Sequence, residues 1–520
     1  MKQNILLPGL AGLLLLFTAG CGDFGDINID PNNPSQNDTR YLLIRAEQGV
    51  TGSVFSEGSP APSTSSYNPW GQIFPQYMGE AQNVQYTGLN IVNSTGLNYY
   101  AVFLRNLKVI VDANNDEAQK SQPYVAGLGP NNDQIGIATT LKAFYMMTLV
   151  DTFGSMPYSE MLLGDEGNFT PVFDSVQDIY TALDTELKEV YGKMSSGTTV
   201  DGNFDILYGG DMSKWKKLNA SIRMAMAIKL SDVDPATGKA RFAAAYNDGG
   251  LASNADNFVY QYLDENNNAS PIYYNYLSRK DFSACATLVD AFRELRDGRL
   301  IAYAKPNLDN ETNVLTGIPF GTLKEDLVPF QGKISELADN LTRRDLPLVI
   351  ISAAKVKLMA AEAAVRGWIS ADANTLYQDA IRLSFEEKEV GAIAASLGDV
   401  FTLVQAQNNL ITDADEYLAQ PAVQLTGSAA EKIEKIAYQR WLNGFMQDGV
   451  EAWSDWRRLN VPRLEVGEYA ASNDVKHIPY RMVLSTDDWN QNKENYEKMV
   501  SAQGPNTVDT RIWWDVADNH

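Results

Sequence analysis

"SAAKVKLMAAEAAVRGWISADANTLYQDAIRLSFEE", residues 352–387, decides the fold. Each half repeats apolar residues at helical spacing, and Gly367 and Ser370 break the pattern between them. Ala360, Ala361, Ala363 and Ala380 are small, so two helices can approach closely here. The stretch predicts a helix hairpin.

Working outward, the same period recurs. In "DSVQDIYTALDTELKEVYGKM" (174–194) the apolar face is Val176, Ile179, Tyr180, Leu183, Leu187, Val190 and Tyr191, and Ser175 with Asp178 reads as a cap. "IGIATTLKAFYMMTLVDTFG" (135–154) places Ile137, Leu141, Phe144, Tyr145, Thr148 and Leu149 on one face. "AEKIEKIAYQRWLNGFMQDG" (430–449) does so with Ile433, Ile436, Ala437, Trp441 and Phe445. Residues 99–113, 213–231 and 284–297 also read as helices. The 352–387 hairpin is similar to a tetratricopeptide (TPR) unit, and the other helices read as degenerate copies. The full repeat signature is not met, which leaves an ordinary helix pair equally open. Between the helices lie long stretches rich in Asn, Gly, Ser, Pro and aromatics: 51–98, 195–212, 250–283, 301–347 and 462–512. Loops of that length in a globular chain usually carry function. The expected fold class is mostly α, TPR-like helix hairpins joined by long irregular, loop-rich stretches.

The start of the chain reads as an address. Lys2 and the apolar run Ile5–Phe17 are too short to span a bilayer and fit a secretory signal. Small residues Thr18, Ala19 and Gly20 precede Cys21, the pattern of a lipoprotein cleavage site, with Thr18 where Leu is commoner. Acyl chains on Cys21 would anchor the chain, at roughly 0.8 kcal/mol per buried methylene. The boundaries expected are 1–20 signal, 21–35 lipidated tether and 36–520 a single domain. Asp26, Asn28 and Asp30 open a D-x-N-x-D calcium pattern, but Pro31 and Asn37 stand where its Gly and Glu belong, so a tether is the default and no metal site is assigned.

Composition removes whole classes of function. The chain has 520 residues, 44% of them hydrophobic, and a net charge of −23, which repels polyanions; no basic stripe points to nucleic acid. With two histidines, His477 and His520, a catalytic triad would rest on His477 alone, and no G-x-S-x-G accompanies it. A phosphate-binding glycine loop is missing as well. Cys285 lies in a helical pattern, where a thiol acts as a small buried hydrophobe. The chain is read as a binder without cofactor, not an enzyme.

Several segments carry a resemblance: "GDINIDPNNPS" after Cys21, "AFYMMTLVDTFGSMPYSEM" (143–161), "KWKKLNASIRMAMAIKLSDVDP" (214–235), "LMAAEAAVRGW" (358–368) and "YQRWLNGFMQDGVEAWSDWRRLNVPRL" (438–464). Together they resemble the SusD/RagB family of outer-membrane lipoproteins of Bacteroidetes, in its second SusD-like subgroup. Leu459 and Asn460 replace the Thr-Gly usual after the paired arginines. The resemblance implies a scaffold of four TPR-like hairpins under a large irregular, loop-rich half that faces a ligand, a lipid anchor on Cys21 in the outer membrane, and cell-surface exposure directed by Asp23 and Asp26. It also implies a partner, a TonB-dependent transporter of the SusC type, and a nutrient ligand. An oligosaccharide is the first expectation. A peptide, as for RagB-like members, is the alternative; an anchored glycoside hydrolase and a scaffold are further options from other classes.

Sugar recognition needs flat aromatic faces, amides, carboxylates or Arg. The first loop that offers them, "YNPWGQIFPQYMGEAQNVQYTGLN" (67–90), nominates Trp70, Tyr77, Tyr86 and Asn90; Trp70, Phe74 and Tyr77 also fit a core stripe at i, i+4, i+7. The second, "YQYLDENNNASPIYYNYLSRKD" (260–281), nominates Asn267, Tyr273, Tyr274, Tyr276 and Arg279, with the tyrosines on an extended segment. "GVEAWSDWRRLNVP" (449–462) reads as structural, its arginines stacking on tryptophan and pairing with Glu451 and Asp455, and "RIWWDV" (511–516) as a docking plug.

Overall fold

The computed structural model describes residues 37–52, 70–82, 84–89, 99–330, 332–485 and 490–516. Cys21, the D-x-N-x-D stretch and Asn90 lie outside the described residues. The 352–387 hairpin forms as expected. Ser352 accepts from the Lys355 N–H (3.2 Å) to start the helix Ala353–Val365, and Asp372 accepts from Thr375 (2.7 Å) to start Ala373–Glu387. Ala360, Ala361, Ala363 and Ala380 are all buried, and the two helices pack closely on each other.

The same arrangement recurs along the chain. Asn131–Phe153 packs on Val176–Lys193, whose Ser175 cap accepts from the Asp178 N–H. Met212–Ile228 packs on Pro235–Asp248, and Ala429–Asn443 on Gly449–Leu459. The helix Pro235–Asp248 is absent from the sequence reading because only Phe242, Ala245 and Gly238 of it are buried, too few for a visible stripe. The helix Asn131–Phe153 departs from its expected one-sided pattern in the other direction. Ala143, Met146, Met147 and Thr152 are buried along with the expected face, so it is the central helix, covered on all sides.

Charge is buried with it. Lys229 donates to Asp151 (2.5 Å) and to Glu451, tying three helical segments together in the core. The arginines of the 449–459 helix do not pair with Glu451, contrary to expectation. Lys229 and Lys355 (3.8 Å) face Glu451, and Arg458 turns to Glu362; the Asp455 part of the expectation holds, since Asp455 meets Arg458 at 3.5 Å as well as Arg440 at 2.6 Å. The stacking part of the expectation holds: the Arg457 guanidinium sits 3.7 Å from the Trp453 ring centre and 4.7 Å from that of Trp514. Trp514 is fully buried and donates to Asp151 (2.9 Å), so the C-terminal segment is a plug.

Two small antiparallel ribbons join loops to scaffold. Strand β1 (Met78–Glu80) pairs with β3 (Phe282–Ala284), and β2 (Phe258–Gln261) with β4 (Pro347–Ile351), which runs straight into the Ser352 cap. The 301–347 stretch stays irregular, as expected, held by turns and short 3-10 pieces. The 250–283 stretch does not. Its tyrosine segment is the helix Pro271–Ser278, started by a proline at its first position, rather than an extended chain.

Candidate functional site

The two nominated loops meet. Pairing of β1 with β3 sets Glu80 opposite Phe282 and Gly79 opposite Ser283, and the Ala81 N–H donates to Asp281 (2.7 Å). Their ends, Gln82 and Lys280, form one wall of a cleft of about 490 Å³. The other wall is built by Lys305–Asp309 and Gly332–Glu336.

Each wall is wired locally. Asn275 accepts from the Asp281 N–H (3.0 Å) and donates to its carboxylate (2.8 Å), which turns the chain through a left-handed Lys280. Lys280 then reaches across the cleft to Glu336 (2.6 Å). Asn307 donates to the carbonyls of Gly332 (3.0 Å) and Ile334 (2.9 Å) and so fixes the far wall. Tyr276 joins the two sides: its hydroxyl donates to the Phe282 carbonyl (2.6 Å) and accepts from the Leu337 N–H (2.9 Å). Burial pushes that phenol well above its ordinary range. Two lysines and two carboxylates line the space, with Gln82, Ser283 and Asn307. Lys305 is drawn to Asp339 (2.8 Å). The cleft thus offers donors and acceptors without an excess of charge, the chemistry of a polyhydroxylated neutral ligand.

The nominated residues separate into groups. Trp70 and Tyr77 are corrected: both are core. Trp70 is 6% exposed and lies 5.7 Å from Trp453. Tyr77 is fully buried, stacks near Trp441 (5.6 Å) and donates to the Trp441 carbonyl (2.7 Å). Their ligand-facing surface is spent on packing. Tyr86 is half-buried against Phe282 (6.2 Å) at the edge of the ribbon. Its turn is shaped by Glu80, which accepts from Gln85 and Thr87 (2.7–2.9 Å). Tyr273 and Tyr274 are half-buried and do not line the cleft. They make an edge-to-face pair (5.4 Å), Tyr274 donates to the Asn266 carbonyl (2.6 Å), and Arg344 lies over Tyr273 while pairing with Asp264 (2.8 Å). They staple the 263–270 tip, on which Asn267 is exposed. Arg279 is exposed and turned to Asp281 (3.0 Å) rather than into the cleft. The far wall, 305–309 and 332–336, was missed. Its signal is the amide- and turn-rich "KPNLDN", which holds none of the aromatics that mark a sugar platform. Cys285 is buried, and burial pushes its thiol up to about 11.

The comparisons agree with this architecture. The family model SusD-like, described as starch-binding and associating with the outer membrane, matches residues 31–484, and the chain belongs to that family. A SusD homologue from Bacteroides fragilis superposes with a TM-score of 0.75 at 24% identity, covering 92% of this chain and 99% of its own. A chitin-binding protein superposes with 0.73 at 24% identity, over 91% and 100%. A chitin-binding SusD homologue from Flavobacterium johnsoniae gives 0.73 at 20% identity, over 92% and 99%. A comparison with curated proteins gives no match.

Proposed function

We propose that this chain is a lipid-anchored outer-membrane protein, held through Cys21, that captures an oligosaccharide at the cell surface and delivers it to a SusC-like TonB-dependent transporter. The observation that carries the reading is the cleft where β1 and β3 bring the two loops together against 305–309 and 332–336. Its balanced set of amides, hydroxyl and paired charges suits sugar hydroxyls. Its walls are fixed before any ligand arrives, which lowers the ordering cost of binding. Family membership and the chitin-binding neighbours point to the same ligand class. No bond-breaking role is assigned to any residue.

Calorimetric titration of the mature protein with malto- and chito-oligosaccharides tests this. A neutral oligosaccharide binds, and the double variant Gln82→Ala/Asp309→Ala weakens it at least about tenfold, or 1.4 kcal/mol. Binding that ignores these positions removes the cleft from the reading. Binding of peptides alone moves the ligand to the peptide class, and release of new reducing ends makes the chain an enzyme.

A further inference from the structure

A second groove shares no lining residue with the β1–β3 cleft. Two hollows of about 880 and 550 Å³ flank the 460–463 turn and have Asn460 and Arg463 in common. One end carries Tyr438, the other His477 and Tyr480. The His477 and Tyr480 rings stack at 4.4 Å and 16°, and the Arg511 guanidinium covers the Tyr480 ring at 4.3 Å. His477 is held flat by contacts from Nδ1 to the Ile478 carbonyl and from Nε2 to Asp509, both 2.9 Å. His477 and Arg511 thus take the two faces of Tyr480, which leaves the outer face of the His477 ring as a rigid planar wall of the kind a sugar C–H face packs on.

Charge distinguishes this groove from the first. Lys280 and Lys305 are paired with Glu336 and Asp339, and Lys476 is paired with Asp474. Arg463 lines both hollows and makes no ion pair with any described residue. It is exposed, as is Glu465, and the intervening Leu464 is half-buried. Arg463 and Glu465 line the same hollow. A donor-only guanidinium and an acceptor-only carboxylate therefore stand together on one rim. A uronic-acid unit matches them, with a carboxylate on one edge of the ring and hydroxyls on another. Because the whole chain carries −23, its general field repels such a ligand, and a local unpaired cation is what admits it.

We infer that this groove is a second saccharide subsite that takes a carboxylate-bearing sugar: Arg463 holds the carboxylate in its fork, Glu465 accepts from ring hydroxyls and the His477–Tyr480 stack carries the ring. The inference rests on the oligosaccharide reading above and narrows its ligand.

Titration of the mature protein with a galacturonate hexamer, against maltohexaose and chitohexaose, tests it. Wild type binds the galacturonate hexamer, Arg463→Gln weakens that binding at least tenfold, and affinity for any neutral hexamer that binds stays within twofold. Arg463 is exposed, so an unchanged melting temperature verifies that the variant is folded. Equal binding of the galacturonate hexamer to wild type and R463Q, or none to wild type, overturns the inference. So does an acidic peptide that needs Arg463 when galacturonate does not bind. If neutral hexamers still bind and depend on Gln82 and Asp309, the oligosaccharide reading survives that result. If no saccharide binds at all, both fall together.

Discussion

Arg458 grips Glu362 with both terminal nitrogens, at 2.5 and 2.8 Å, where each side chain is 1% exposed. The contact locks the 449–459 helix to the 353–365 helix of the hairpin. Burial by itself would raise the Glu362 carboxyl, but Arg458, then Arg440 and Arg366, outweigh it and hold it far below the usual carboxylate range. Glu362→Gln keeps the shape and removes the buried charge that answers Arg458, Arg440 and Arg366. We expect a loss of about 3–5 kcal/mol in denaturant unfolding. Because this carboxyl titrates lower in the folded chain than in the unfolded one, its contribution is whole above about pH 4.5 and is lost as pH falls. An unchanged midpoint in the variant would remove the pair from the account of stability.

Asp448 gives the opposite slope. It caps the same helix, accepting from Val450 (3.1 Å) and Glu451 (3.2 Å). Burial pushes it up to about 7, with Lys355 pulling it back and Glu451 adding to the rise. A raised folded value means its contribution is fully present below about pH 4 and declines as pH rises toward 7. Asp448→Asn retains a capping oxygen. Melting temperatures from pH 4 to 8 will therefore show a flatter profile in the variant, and an identical profile counts against the assignment.

Tyr276→Phe tests the wiring of the cleft. The phenyl ring stays, and only the link between Phe282 and Leu337 goes. Affinity for a neutral oligosaccharide falls about 3- to 10-fold as the two hydrogen bonds that tie the walls together are lost. If it does not change, the two walls do not depend on this bridge.

Cys285 is a simple check on packing. Fully buried, with its thiol raised to about 11, it will not react with a thiol reagent in the native state and will react as one equivalent in denaturant. Reaction of the native mature protein at this position refutes the burial.

The helical half was legible because its stripes are strong. The alanines at 360–363 and the Ser175 cap are local signals, and they survive into the structure. The aromatic loops were harder because a tryptophan or tyrosine reads the same whether it faces a sugar or the core. Trp70 and Tyr77 are buried because the 70–80 segment is pinned against the 441–453 region. There Tyr77 bonds the Trp441 carbonyl and Gly449 admits the Gly71 backbone where a Cβ would clash. That contact joins residues more than 360 positions apart, which no local pattern records. The far wall of the cleft was invisible for a related reason. Asn307 matters through carbonyls at 332 and 334, a relationship that exists only once the loops are folded.

The Asn307 clamp also separates holding from tasting. The side chains that fix the backbone of the cleft are not the ones at its rim, where Gln82 and Asp309 are exposed. If the cleft holds a sugar as proposed, substitutions at those tips alter which sugar is retained while the frame beneath keeps its shape. Under the proposed function, a cell could thus change its diet by point mutation here without having to refold the protein.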